Sequence, residues 1–94
     1  MDKPLRLLGL ARKAGRLAVG LDAVRESAGE AVLILTAKDA GSSAMREARW
    51  TAQKHNIPHQ SLPYSREEIG KAVGKNLCAV AALTDSSFIF TEPR

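Results

Sequence analysis

Ninety-four residues weighing 10.1 kDa, 45% apolar and 26% charged, fit one folded domain over residues 1–94 and leave no material for a second core or a multi-cofactor active site. No run approaches the ~20 apolar residues of a membrane helix, the N-terminus is not that of a signal peptide, and the one cysteine, Cys78, cannot close an internal disulfide; a cytoplasmic protein is expected. The net charge of +4 lies in residues 1–25, where six bases face two acids, while residues 26–65 and 66–94 each balance four against four; such an excess is the footprint of a polyanion partner, or simply surface solubilisation.

Pro4 suits the first turn of a helix, where its missing N–H has no partner to lose. Leu5, Leu7, Leu8, Leu10, Ala11 and Ala14 then cover one helical face until Gly15 stops it. Arg16 to Val19 reads as a short strand punctuated by Gly20, and Asp22 to Ser27 as a short helix ended by Gly29. Ala31 to Ala37 is a continuous apolar run, the pattern of a parallel strand covered on both faces. A third helix begins at Ser42 or Ser43 and runs to about His55, with Met45, Ala48 and Ala52 as its inward stripe. Asn56 fits a left-handed C-terminal position before Ile57 and Pro58, and an edge strand follows from His59 to Leu62.

Ser65-Arg66-Glu67-Glu68 is a capping box, and Tyr64 and Ile69 are spaced for a hydrophobic staple across it. That helix ends at Gly74, and Cys78 to Leu83 is a second buried strand. In the tail, Asp85-Ser86-Ser87 favours a short helix and Phe88-Ile89-Phe90 favours a strand. Four helices alternating with four strands predict an α/β fold, a three-layer α-β-α sandwich with a central, roughly four-stranded mixed sheet.

Little in the chain supports catalysis. Gly70-Lys71-Ala72-Val73-Gly74-Lys75-Asn76 has three residues between its glycines where a phosphate loop needs four, and Asn76 stands where a hydroxyl should hold magnesium. His55 and His59 are four apart, but Pro58 breaks any helix between them, so they are expected as surface histidines and no metal site is predicted. Cys78 reads as a buried, inert hydrophobe. Trp50 lies nearly opposite the inward stripe of the third helix, between Arg46 and Lys54. An outward tryptophan between bases stacks on a nucleobase, anchors a protein partner, or lies flat on its own helix.

Three segments together resemble the ribosomal L-seven-Ae family of kink-turn RNA binders, most closely its small bacterial YlxQ-type members. They are Leu8-Gly9-Leu10-Ala11-Arg12-Lys13-Ala14-Gly15-Arg16-Leu17 with Gly20; Leu33-Ile34-Leu35-Thr36-Ala37-Lys38-Asp39-Ala40 with Lys54-His55-Asn56-Ile57-Pro58; and Ile69-Gly70-Lys71-Ala72-Val73-Gly74-Lys75 with Ala79-Val80-Ala81-Ala82-Leu83. The resemblance spans nearly the whole chain. It implies an α-β-α sandwich, no catalysis and no cofactor, and RNA held by three loops at one end of the sheet: Gly20-Leu21-Asp22, Lys38-Asp39-Ala40-Gly41 and Lys75-Asn76-Leu77. Arg16, Arg25 and Lys75 would contact phosphate, glycine would admit the RNA backbone, and polar side chains would read bulged bases.

The partner so implied is RNA, ribosomal or otherwise structured, with the ribosome as one candidate partner, and neither a membrane nor a small-molecule substrate. The chain also departs from the family pattern. Asp22-Ala23 stand where asparagine–glutamate or lysine–glutamine is usual, Glu26 where a lysine is usual, and Gly41 where a glutamate is frequent. Asp22 accepts but cannot donate a hydrogen bond, and Glu26 repels phosphate. These departures imply a weakened specific readout, and leave as alternative a protein–protein interaction module on the same fold, with Trp50 as its anchor.

Overall fold

Turn-forming residues set the limits of the elements. The computed structural model describes residues 2–88: α1 (Lys3–Lys13), β1 (Leu17–Val19), α2 (Leu21–Ser27), β2 (Leu33–Thr36), α3 (Ser42–Lys54), β3 (His59–Ser61), α4 (Arg66–Val73), β4 (Val80–Leu83) and a 3-10 turn over Ser86–Phe88. Pro4 lies in the first turn of α1, and Asn56 adopts the left-handed conformation (φ 55°) that ends the α3 segment. At α4 the capping box is complete: Ser65 Oγ accepts from Glu68 N at 3.1 Å, and Glu68 Oε1 accepts from Ser65 N at 2.8 Å. Tyr64 and Ile69 join the same apolar cluster, as a staple across this cap requires.

The sheet order is β1-β4-β2-β3. β4 lies antiparallel to β1, with Leu17 opposite Leu83, and antiparallel to β2, with Thr36 opposite Val80; β2 and β3 are parallel, with Thr36 opposite Ser61. A continuous apolar run therefore reports burial on both faces and not strand direction: β4 is as buried as β2 yet has no parallel neighbour. The ladders are shorter than the runs that contain them, because Ala31, Val32, Cys78 and Ala79 stay apolar beyond the paired residues.

Alternation along the strands splits the core in two. Leu17, Leu33, Leu35, Ala81 and Leu83 face α1 and α4, where they meet Leu5, Leu8, Ala11, Ile69 and Val73. Ile34, Val80 and Ala82 face α2 and α3, meeting Val24, Ala48 and Ala52. Each large buried side chain contributes about 1.5–3 kcal/mol, so the sheet is held from both sides. In α3 the inward residues are Ala44, Ala48, Thr51 and Ala52; Met45 is half-buried at the flank. The tail takes its helical alternative: Asp85 Oδ1 accepts from Ser87 N (2.9 Å) and Ser87 Oγ (2.6 Å). The strand expected through Ile89 and Phe90 falls outside the described residues. No helix among the described residues is long and apolar enough to cross a membrane.

Two glycines permit close approach. A Cβ on Gly9 would lie 2.8 Å from Ala72 O, and one on Gly70 would lie 2.9 Å from both Lys75 O and Asn76 O. Alanine inside a helix normally stabilises relative to glycine by roughly 0.5–1 kcal/mol, but here backbone would have to move, at about 1–3 kcal/mol. Gly9→Ala and Gly70→Ala should therefore each lower the urea midpoint. Gly29→Ala, where a Cβ meets nothing within 4 Å, should leave it unchanged or slightly raised.

Candidate nucleic-acid interface

β1, β2 and β3 all point the same way, because the central β4 is antiparallel to both its neighbours and β3 follows β2. Each of these three strands hands over to a helix at the same end of the sheet. There Gly20 N donates to Val80 O at 3.0 Å, Ala37 N to Ala79 O at 2.9 Å and Lys38 N to Tyr64 O at 2.8 Å. The Tyr64 hydroxyl donates to Asp2 Oδ2 at 3.1 Å, which brings the start of α1 to this end as well. Four helix N-termini thus face one way, each carrying roughly +0.5 of a charge from its backbone dipoles. α4 is side-chain capped, whereas α2 and α3 begin at Gly20 and Gly41 with no side chain on their first N–H groups.

The residues expected at the loops divide into available and occupied ones. Gly20 has φ 93° and ψ 157°, a region open essentially to glycine alone, and no atom crowds the place of its missing side chain. Leu21 is half-buried and packs against the core cluster of Val24, Ile34 and Val80. Asp22 is 96% exposed at the side chain but receives Arg25 Nη1 at 2.9 Å, and Arg25 Nη2 donates to Glu47 Oε1 at 2.6 Å. Arg25 therefore ties α2 to α3, its pKa raised by the Glu47 hydrogen bond and charge, and is committed within the fold. Asp39 likewise serves the fold: its Oδ1 accepts from Arg66 N, the first residue of α4, at 2.7 Å. Its Oδ2 lies 3.5 Å from Arg66 Nε, a charge contact that leaves this buried nitrogen without a hydrogen bond. Lys38 is exposed and has no carboxylate partner among the described residues.

From Gly74 the chain climbs back along α4. Lys75 and Asn76 lie against Gly70, halfway up the helix, and Cys78 N donates to Arg66 O at its first turn. Leu77, 54% exposed, thus reaches the loop end, while exposed Lys75 and Asn76 stand on its flank.

Arg16 is not brought to this surface. It precedes β1 at the opposite end of the sheet, about 13 Å away along the strand, where its Nε lies 3.6 Å from Asp85 Oδ2. Nor do the early bases gather at the loops, because α1 runs from the loop end to the far end. Arg6, Arg12 and Lys13 instead join Lys71 around a groove of about 530 Å³ between α1 and α4, floored by Leu5, Leu10, Ala72 and Val73. The sequence displays these charges without the helix direction that disperses them. Nor does it mark out Arg49, which lines a second groove on α3 with Ser42, Met45, Arg46, Trp50 and Gln53; placing Met45 inward hides that face.

Of the two histidines expected at the surface, His55 is exposed, whereas His59 in β3 is half-buried. His59 Nε2 is 2.9 Å from Thr36 Oγ1, and burial holds its pKa below the ordinary value, with Arg49 adding to the effect. Burial pushes the Cys78 thiol up, and its Sγ donates to Val80 O at 3.5 Å. Among the described residues no three His, Cys, Asp or Glu side chains cluster closely enough to hold a metal ion.

A mixed sheet between two helix pairs, with loops and helix N-termini turned to one end, defines a small α/β/α domain of ribosomal-protein type. The chain belongs to the ribosomal protein L7Ae/L30e/S12e/Gadd45 family, whose profile matches residues 2–88, and is accordingly non-catalytic. It is 31% identical over 84 residues to the RNA-binding protein YlxQ of Bacillus subtilis (strain 168), covering 87% of this chain and 83% of that protein. A solved structure of a Bacillus halodurans protein of unknown function superimposes with a TM-score of 0.83 at 29% identity, over 94% of this chain and 90% of that one. The Giardia lamblia 15.5kD RNA binding protein superimposes with a TM-score of 0.70 at 16% identity, over 86% and 70%, a likeness of fold.

Asp39 is held in its charged form at the loop end. The Arg66 N–H, and then its own backbone N–H and the Arg66 charge, hold its carboxyl below the ordinary 3.8. A depressed pKa adds stability above 3.8 that disappears as pH falls through the lower folded value. Asp39→Asn should therefore be less stable than the parent at pH 7 in urea unfolding, and the gap should narrow as the pH falls below the ordinary 3.8. A gap that stays constant with pH would assign the effect to shape rather than charge.

Proposed function

We propose that this protein binds structured RNA, kink-turn-like or bulged, at the loop end of its sheet, with a weakened specific readout. The observation carrying the reading is the convergence of Gly20–Asp22, Lys38–Gly41 and Leu77 where four helix N-termini point. Family membership and the relative YlxQ support it. At such a surface Gly20 admits the sugar–phosphate backbone, Lys38 and Lys75 meet phosphates, and Asn76 offers both a donor and an acceptor to a base edge. Leu77 supplies an apolar contact for an unstacked base. Ribosomal RNA belongs to the class of folded RNAs that present such bulged sites.

The same geometry accounts for weakened selectivity. Asp22 presents only acceptors beside the glycine and is already bound to Arg25, Ala23 has no polar group, and exposed Glu26 places a negative charge on α2. The start of α1 brings Asp2 and Lys3 to the loop end, the first turn of α4 brings Arg66, Glu67 and Glu68, and the loop after β2 brings Lys38 and Asp39, so its bases do not outnumber its acids. Attraction there depends on helix dipoles and on the cationic flanks of α1 and α3 rather than on a concentrated basic patch.

Binding of a bulged hairpin RNA should weaken steeply as salt rises, because phosphate contacts release counterions. Lys38→Ala and Lys75→Ala should each flatten the slope of log K against log salt by about one unit. Arg16→Ala should leave it alone, and Glu26→Lys should tighten binding. Binding indifferent to salt, or as sensitive to Arg16 as to Lys75, would overturn the placement of the site.

A further inference from the structure

The outer face of α3 carries features that the loop end does not need. Trp50 is 57% exposed, and Lys54 Nζ sits 4.8 Å from the centre of its ring, covering one face of the indole. Arg46 and Arg49 line the groove beside it, about 430 Å³ in volume. The one acid of this helix, Glu47, is taken by Arg25. None of Arg46, Arg49 and Lys54 is paired with a carboxylate among the described residues. The groove starts at Ser42, the first residue after the Lys38–Gly41 loop, and Trp50 lies about 12 Å further along the axis.

We infer that this groove is a track for single-stranded RNA leaving the loop end, with Trp50 as the stacking platform for an unpaired base and Arg46 and Arg49 as phosphate contacts. A cation-lined groove with an exposed indole is the arrangement that holds single strands with little sequence preference, since every base has a π-face to offer. Charge complementarity selects the occupant: three unpaired bases with no free acid suit a polyphosphate backbone. Continuity with the Lys38–Gly41 loop says where the strand comes from. A base takes the face of the indole that Lys54 leaves open, and the lysine strengthens the contact from the other side. The inference rests on the reading of this chain as an RNA binder, but the loop end and the track can fail separately.

Trp50 is the sole tryptophan, so its emission reports the contact directly. The test titrates the intact protein with a bulged hairpin, with the same hairpin bearing a single-stranded uridine tail of about eight nucleotides, and with the isolated tail. Affinities come from the anisotropy of labelled RNA. The tail should quench Trp50 emission and tighten binding by about fivefold or more. Trp50→Ala should remove that gain while leaving hairpin affinity intact, and Trp50→Phe should retain most of it. Arg46→Ala and Arg49→Ala should each reduce the salt dependence of the tail's contribution. If the plain hairpin fails to bind but the isolated tail still quenches Trp50, the loop-end reading falls and the track stands. Unchanged emission with the tail bound, a tail that adds nothing, or a gain that survives Trp50→Ala overturns the track. Tail-insensitive binding with Trp50 required for a polypeptide partner overturns it equally, and makes the face a protein-docking surface.

Discussion

The hydrogen-bonded register of β4 between β1 and β2 organises everything else in this molecule. Because β4 runs against both neighbours, β1 and β2 run together; β3, parallel to β2, joins them, and each turns into its helix at the same end. Both faces of the sheet are then covered by helices whose apolar residues alternate into separate halves of the core. One end of the molecule collects the turns and the positive poles of the helices, while the other collects helix C-termini and the Arg16–Asp85 pair. Polarity of the whole domain is a consequence of strand order.

Charged side chains at the loop end are divided between holding the fold and remaining free. Arg25 bridges Asp22 and Glu47, joining α2 to α3, and Asp39 caps α4 from a distant loop. Such exposed pairs contribute little each, yet they withdraw from the surface the groups that a phosphate or a base edge would otherwise meet. What remains is backbone: Gly20 in a conformation that side chains avoid, the starts of α1, α2 and α3 without a side-chain cap, and a few lysines. A surface of this kind suits shape and backbone contact better than base-specific readout, with Asp22 presenting only acceptors, Ala23 no polar group and Glu26 a negative charge.

Features encoded within a few neighbouring residues were legible in the sequence. The Ser65–Glu68 capping box, Asn56 before Pro58 and the apolar strands appear where local chemistry places them. The three-layer architecture followed from their alternation. Features that depend on element direction were not legible. Nothing in Cys78–Leu83 distinguishes an antiparallel strand from a parallel one, since both are buried on two faces. Six early bases look like one patch until α1 carries them the length of the sheet. Arg25 and Asp39 look available until Glu47 and Arg66, far away in sequence, arrive beside them. Met45 was misplaced by a stripe that small alanines fill equally well one residue earlier.

If the loop end is the RNA site, polyanion contact is confined to the end of the sheet where strands become helices, with α3 as its flank. Backbone amide chemical shifts, followed by NMR during titration with a bulged RNA, test it most directly. Shifts concentrated at Gly20–Asp22, Lys38–Ser42 and Lys75–Cys78, with Gly15 to Leu17 and Thr84 unmoved, are the predicted result. Shifts centred on the far end, or spread evenly over the domain, would contradict the account.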